Sequence, residues 1–114
     1  MRAELDLFSG RPNPSWELTA EESAELVKRL KTLPEAKEGT VRNGLGYRGI
    51  VITAPADDVS DFTSLVVSGG IVLGRDSGGA EQLLVDRGRA LERWLLGTAR
   101  GRVAREIQAL IDQL

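Results

Sequence analysis

The stretch Phe62–Gly74, F-T-S-L-V-V-S-G-G-I-V-L-G, decides the fold class of this chain. It holds two runs of apolar and mostly β-branched residues, one on each side of the pair Gly69–Gly70. Short runs of this composition are typical of strands, and a glycine pair supplies the backbone conformations of a tight turn. The stretch therefore predicts two antiparallel strands joined as a hairpin, with a bulge at the glycines as the alternative.

Three other segments predict strands. Arg2–Phe8 alternates apolar and charged residues, which is the period-two pattern of a half-buried strand. Tyr47–Thr53 is rich in β-branched residues, and a proline follows soon after it. Gln82–Val85 follows the turn signal D-S-G-G of Asp76–Gly79 and predicts a further short strand.

Two parts of the chain predict helices. Thr19 and Glu22 form a capping-box pair, in which each side chain can bond a free main-chain donor at a helix start. An apolar stripe at three- and four-residue spacing follows and stops at Pro34. The C-terminal quarter, from Arg89 onward, repeats apolar residues in the same way, and Gly97–Gly101 weakens its middle. We predict one N-terminal helix and a C-terminal helical arm bent near these glycines.

The order of these elements is strand, helix, strands, helices. It lacks the regular alternation of a parallel doubly wound sheet, so an antiparallel sheet with helices on one side is favoured. We predict a single α+β domain over residues 1–114, in which a small antiparallel sheet packs against the N-terminal helix and the helical C-terminal arm. A chain of 114 residues with 41% hydrophobic content is sufficient for one core.

The composition excludes several kinds of chemistry. The chain has no cysteine and no histidine, which removes thiolate catalysis, zinc–thiolate sites and the usual general base near neutral pH. Fifteen basic and seventeen acidic side chains leave a net charge of −2, too small to gather polyanions over the whole surface. We predict no metal and no cofactor. The charged opening residues lack an apolar signal core, so we expect a cytoplasmic protein without a membrane segment.

Gly44, Gly46 and Gly49 match the dinucleotide-binding pattern GxGxxG. In a dinucleotide fold such glycines follow a strand and open a helix, whose amino end faces the pyrophosphate. Here they run into the β-branched residues Ile50–Ile52 instead. The pattern therefore favours a bend at which the main chain passes close to a neighbour.

Asp57, Asp58 and Asp61 form an acidic D-D-x-x-D cluster. Carboxylate oxygens suit a hard cation, but a magnesium site would need a further acidic group and a phosphate substrate. A solvated turn in which an aspartate caps a short helix is the preferred interpretation.

The C-terminal arm is rich in arginine. Arg89, Arg93 and Arg100 fall near one helical face and could track phosphates. Arginines near helix ends usually solubilise the protein, and the pI of about 5.2 argues further against nucleic acid as a partner.

The last helix carries the apolar stripe Val103, Ile107, Leu110, Ile111 and Leu114. Packing against the core of the same chain is the preferred interpretation of this stripe. A terminal helix with spare apolar width can also pack across a two-fold axis, so a homodimer through this helix is the alternative.

The segment Ser9–Trp16, S-G-R-P-N-P-S-W, predicts a stiff loop, because each proline fixes its own φ and restricts the residue before it. The loop carries the guanidinium of Arg11, the amide of Asn13 and the indole of Trp16. Arg and Trp are residue types that often anchor interfaces. The segment can instead be a plain connector, with Trp16 closing the end of the core.

Three segments of the chain resemble a pattern in small bacterial proteins of unassigned role: Phe8–Trp16 (F-S-G-R-P-N-P-S-W), Leu45–Gly49 (L-G-Y-R-G) and Arg89–Leu96 (R-A-L-E-R-W-L-L). The resemblance covers most of the chain. It implies no particular activity, substrate or site residue.

These features predict a non-catalytic accessory or scaffold protein that binds a protein or peptide partner through the Ser9–Trp16 loop and the adjacent glycine-rich bend. The residues expected at the partner are Arg11, Asn13, Trp16, Tyr47 and Arg48. No residue is expected to be catalytic. The alternative is a small-molecule binder, or a small carboxylate-dependent enzyme, acting on an acidic metabolite in a cleft lined by Arg11 and Arg48.

Overall fold

The computed structural model describes residues 1–7, 12–37, 47–54 and 62–114. The strands in these ranges are β1 (Arg2–Asp6), β2 (Ser15–Glu17), β3 (Gly49–Thr53), β4 (Ser64–Ser68), β5 (Ile71–Arg75) and β6 (Glu81–Val85). The helices are α1 (Ala20–Leu30), α2 (Ala90–Thr98), which follows a 3₁₀ turn at Arg87–Arg89, and α3 (Arg105–Ile111). None of these helices is long and apolar enough to cross a membrane.

The strands form one antiparallel sheet in the order β2–β1–β3–β4–β5–β6. Strands β4 and β5 pair Ser64 with Arg75 and Ser68 with Ile71, which confirms the hairpin predicted at Gly69–Gly70. Both glycines have positive φ angles, 58° and 92°. A two-residue hairpin turn of this kind needs such angles, and glycine adopts them without a steric penalty.

The helices and one face of the sheet share a single hydrophobic core. The strands contribute Ala3, Leu5, Trp16, Ile50, Ile52, Leu65, Val67, Val72 and Leu84. The helices contribute Leu26, Leu30, Leu91, Leu95, Leu96 and Ile111, and Ala99 follows α2. The predicted fold class is therefore confirmed: an antiparallel sheet packs against an N-terminal helix and a helical C-terminal arm. The opposite face of the sheet carries half-buried Val51, Val66, Leu73 and Leu83.

The predicted capping box at the start of α1 is confirmed. The hydroxyl of Thr19 accepts a hydrogen bond from the Glu22 N–H at 3.1 Å, and the Glu22 carboxylate accepts one from the Thr19 N–H at 2.9 Å. After α1 ends, the carbonyl of Pro34 accepts a hydrogen bond from Val85 N–H in β6. The chain after the helix is thereby attached to the outer edge of the sheet.

The C-terminal arm breaks where the glycines predicted a bend. Helix α2 ends at Thr98, Gly101 has a φ of 76°, and α3 begins at Arg105. Ile111 packs into the core, whereas Leu110 and Leu114 are exposed. The apolar stripe of the last helix is therefore divided between the core and the surface.

Strand β2 is an element that the sequence pattern did not predict. It spans only Ser15–Glu17 and pairs with β1, with Ala3 opposite Trp16. Three residues are too few for a period-two pattern, and the two prolines before them indicated a loop. The proline-rich segment therefore leads into an edge strand of the sheet.

Candidate functional site

The carboxylate of Asp6 joins two of the predicted partner-binding residues. Arg48 Nη2 lies 2.7 Å from Asp6 Oδ1, and Asn13 Nδ2 lies 3.5 Å from the same oxygen. The main-chain N–H of Arg48 also donates to the Asp6 carbonyl at 2.8 Å. The hydrogen bond to Asp6 raises the pKa of the Arg48 guanidinium. One carboxylate at the end of β1 therefore holds both the loop and the entry to β3.

Asn13 shapes the loop from within. Its Oδ1 accepts a hydrogen bond from the Leu7 N–H at 3.0 Å, and the carbonyl of Pro14 accepts one from the Leu5 N–H at 2.9 Å. These bonds bring the chain before β2 alongside the end of β1. Asn13 is half-buried, whereas Pro12 is exposed. The described part of the loop is therefore held against the sheet while one proline faces solvent.

Trp16 lies in the core. Its side chain belongs to the buried cluster, and the residue is only 5% exposed. The indole N–H donates a hydrogen bond of 2.8 Å to the hydroxyl of Thr98, which itself donates to the Leu95 carbonyl. Trp16 therefore stabilises the loop from within the core, and its ring does not lie at the surface.

Tyr47 reaches a buried carboxylate. Its hydroxyl donates to Glu92 Oε2 at 2.6 Å, and Arg89 Nη2 donates to the same oxygen at 2.7 Å. The other oxygen, Oε1, accepts from the Gly69 N–H at 2.9 Å and from Arg89 Nε at 3.3 Å. Glu92 is fully buried, and its carboxylate ties α2 to the β4–β5 turn and to the chain before β3.

These hydrogen bonds decide the charge state of Glu92. Burial alone would raise the pKa of this carboxyl, but the hydrogen bonds from Arg89, Tyr47 and Gly69 outweigh burial and hold the pKa below its ordinary value. The hydrogen bond to Glu92 in turn raises the pKa of Arg89. Glu92 therefore stays ionised at neutral pH, with all four hydrogen bonds coming from within the protein.

Several residues that the sequence singled out lie outside the described residues: Arg11, Gly44, Gly46, Asp57, Asp58 and Asp61. Gly49 is described, and a Cβ placed on it would lie only 2.5 Å from the Val67 carbonyl oxygen. The close main-chain approach predicted for the glycine bend is therefore present at Gly49. In the described ranges no three acidic side chains gather closely enough to hold a metal ion.

A groove runs beside the described part of the loop. Its volume is about 680 Å³, and Pro12–Ser15 form one wall. The other wall is the connection from α2 into α3, with Arg102, Val103, Ala104, Glu106 and Ile107. The Arg102 guanidinium is bound to Glu22 at 2.6 Å, which fastens this second wall to the start of α1. Sequence reasoning did not find the second wall, because it interpreted Val103 and Ile107 only as part of an apolar stripe that packs on the core or in a dimer.

The groove borders strand β2, which is at the edge of the sheet among the described strands. Strand β2 is outermost, and the Leu5 N–H to Pro14 carbonyl and Leu18 N–H to Met1 carbonyl bonds set its register against β1. Since hydrogen-bonded pairs alternate in antiparallel strands, the main-chain groups of Trp16 face β1. Those of Ser15 and Glu17 point away from the sheet.

Comparison with protein-family models, with curated proteins and with solved structures finds no match to this chain. The site is therefore interpreted from its own geometry.

Proposed function

We propose that the protein is a non-catalytic accessory or scaffold protein that binds a protein or peptide partner through the Ser9–Trp16 loop. The observation that carries the proposal is the groove of about 680 Å³ between Pro12–Ser15 and the α2–α3 connection. Of the residues expected at the partner, Asn13 lines this groove, and Arg48 is linked to Asn13 because both bond the Asp6 carboxylate. We assign Trp16 the role of holding the loop in its binding shape.

Rigidity supports this proposal. Pro12 and Pro14 restrict the backbone, the Asn13 amide bonds the end of β1, and Trp16 anchors the following strand in the core. A surface that is ordered before binding loses little conformational entropy when a partner arrives. The main-chain donors and acceptors of Ser15 and Glu17 bond no other described strand, and they suit a partner segment in extended conformation.

The state of the best-defined carboxylate favours binding over catalysis. A general acid or base must exchange a proton with substrate, and this requires a pKa near the working pH. Glu92 has a lowered pKa and is fully buried among its own donors. For the alternative cleft at Arg11 and Arg48, an acidic metabolite would have to compete with Asp6 for the Arg48 guanidinium.

Site-specific photo-crosslinking tests the proposal. A photoreactive side chain is placed at Pro12 or Glu106, two exposed groove positions, and at Ser77, an exposed control in the β5–β6 turn. We expect the same protein to be crosslinked in an extract of the native cells from both groove positions and not from Ser77. Equal labelling from all three positions, or none from the groove positions of a folded protein, contradicts the proposal.

Two exposed leucines, one in α3 and one after it, favour a second copy of this chain as a further candidate partner. Leu110 lies in α3, Leu114 lies three residues after its end, and each is 38% exposed. Light scattering of the wild type and of Leu110→Lys tests this. A dimer mass that falls to the monomer value in the variant supports a homodimer, and a monomer mass for the wild type excludes it at the concentration used.

A further inference from the structure

We propose that a second site, at the β6 edge of the sheet, binds a small organic carboxylate with an apolar body. A cavity of about 460 Å³ lies between the end of α1, the end of β6 and the beginning of α2. It is lined among others by Arg29, Thr32, Leu33, Val85, Arg87 and Leu91. Strand β2 and the partner groove belong to the opposite edge of the sheet, and the two sites share no lining residue.

The walls of this cavity are fixed by hydrogen bonds. On one side, the Pro34 carbonyl accepts from the Val85 N–H at 2.8 Å, which holds the chain after α1 against β6. On the other side, the buried carboxylate of Asp86 accepts from the Leu91 and Glu92 N–H groups, at 2.8 Å and 3.0 Å. The cavity is therefore shaped before any ligand binds, as small-molecule sites usually are.

Two of the lining residues, Arg29 and Arg87, carry a positive charge. The Arg29 guanidinium carbon lies 4.8 Å from the centre of the Trp94 ring. The Nε of Arg29 donates a hydrogen bond to the Glu25 carboxylate at 3.2 Å. This leaves both Nη groups of Arg29 without an acceptor among the described residues. Arg87 is exposed and forms no ion pair or hydrogen bond through its side chain within the described ranges. A guanidinium is a planar fork of donors that matches a carboxylate.

The negative charges nearby are already engaged. Asp86 is 2% exposed, and both of its carboxylate oxygens accept main-chain hydrogen bonds. Glu25 is bound to Arg29 through a single bond to Nε. Arg87 therefore contributes a positive charge that no described carboxylate contacts.

The rest of the lining favours a ligand that is apolar outside its carboxylate group. Leu33, Pro34, Val85 and Leu91 contribute aliphatic surface, and Thr32 is the neutral polar residue beside them. The volume of about 460 Å³ lies within the range of ordinary small-molecule sites. An inorganic anion would leave this aliphatic surface in contact with water, whereas an aromatic or branched carboxylate would cover it.

Titrations followed by ¹⁵N–¹H NMR test the proposal with three probes: sodium benzoate, benzamide and inorganic phosphate. We expect benzoate to shift the amide signals of Thr32, Arg87 and Ala90. Benzamide has the same shape without the charge, and we expect it to bind about tenfold more weakly. Phosphate has the charge without the apolar body, and we expect it to bind more weakly than benzoate. Equal binding of benzamide, or no shifts at these amides with benzoate, overturns the proposal.

Three variants locate the site. Arg87→Gln should weaken benzoate binding about tenfold, and Ala90→Leu should weaken it by filling the cavity without removing a charge. Arg93→Gln removes an exposed arginine of α2 that does not line the cavity and should change nothing. Arg87 is exposed, so its variant should fold normally, which the NMR spectrum shows directly. Unchanged affinity in both Arg87→Gln and Ala90→Leu overturns the proposal and leaves the partner groove unaffected.

Discussion

The indole N–H of Trp16 donates a hydrogen bond to the hydroxyl of Thr98, which lies 2.8 Å away and 82 residues later in the chain. Trp16 follows the Pro12–Ser15 wall of the groove, and Thr98 is the last residue of α2, just before the connection that forms the other wall. This bond therefore fastens the two walls to each other through the core.

The first prediction follows from that bond. Trp16→Ala removes a buried ring and should lower the free energy of unfolding by about 3–5 kcal/mol. Trp16→Phe keeps most of the apolar surface and loses the N–H donor, so it should cost less than Trp16→Ala. Urea denaturation followed by circular dichroism measures both. A loss below about 1 kcal/mol for Trp16→Ala would show that the ring is not part of the core.

The second prediction concerns Glu92 in acid. Its pKa is held below the ordinary value of 4.5 in the folded protein, so the folded state binds fewer protons than the unfolded chain as the pH falls. The stabilisation is complete above that ordinary value and is lost as the pH falls through the folded-state pKa. Glu92→Gln removes this titration, and the unfolding free energy should then depend less steeply on pH below that ordinary value.

At neutral pH, Glu92→Gln should lower the free energy of unfolding by about 1–3 kcal/mol, because the buried partner of Arg89 is then a neutral amide and no longer a carboxylate. Glu81→Gln is the control, since it removes an exposed carboxylate paired with Arg75 and should cost no more than about 1 kcal/mol. Urea denaturation at a series of pH values measures both variants. If the unfolding free energy of Glu92→Gln has the same pH slope as that of the wild type, the lowered pKa of Glu92 in the folded protein is contradicted.

The third prediction compares two glycines. Gly49 has a φ of 128°, and an added Cβ would lie 2.5 Å from the Val67 carbonyl oxygen, so Gly49→Ala should cost about 2–4 kcal/mol. Gly97 lies inside α2 with open space around it, and Gly97→Ala should stabilise the protein by about 0.5–1 kcal/mol. Thermal unfolding measures both changes, and effects of the same sign would show that one of the two environments is wrongly assigned.

The fourth prediction concerns the start of α3, one wall of the groove. Ala104 occupies the N-cap position with extended backbone angles and has no side-chain oxygen to bond a free N–H. Ala104→Ser supplies this oxygen and should stabilise the protein by about 1 kcal/mol. Ala109→Ser, at an exposed position inside the same helix, should instead cost about 0.5 kcal/mol. Destabilisation by Ala104→Ser in thermal unfolding would contradict the position of the helix start.

Local patterns were sufficient for most of the fold. The turn at Gly69–Gly70, the capping box of Thr19 and Glu22, and the break near Gly101 each depend on residues a few positions apart. The backbone preferences and short-range hydrogen bonds of these residues therefore favour the same local structure whatever the rest of the chain does. Strand β2 was not predicted, because three residues are too few to show a strand preference and their conformation depends on pairing with β1.

The candidate site depended on tertiary structure. The sequence by itself predicted a stiff Ser9–Trp16 loop, because proline restricts its own backbone and that of the residue before it. It did not determine whether Trp16 faces solvent or core, that Glu92 would be buried among four donated hydrogen bonds, or that Pro12 would lie opposite Ile107. These relationships arise only when segments far apart in sequence close around one core. The free energy that stabilises these contacts comes from apolar burial over the whole domain, and no isolated segment supplies it.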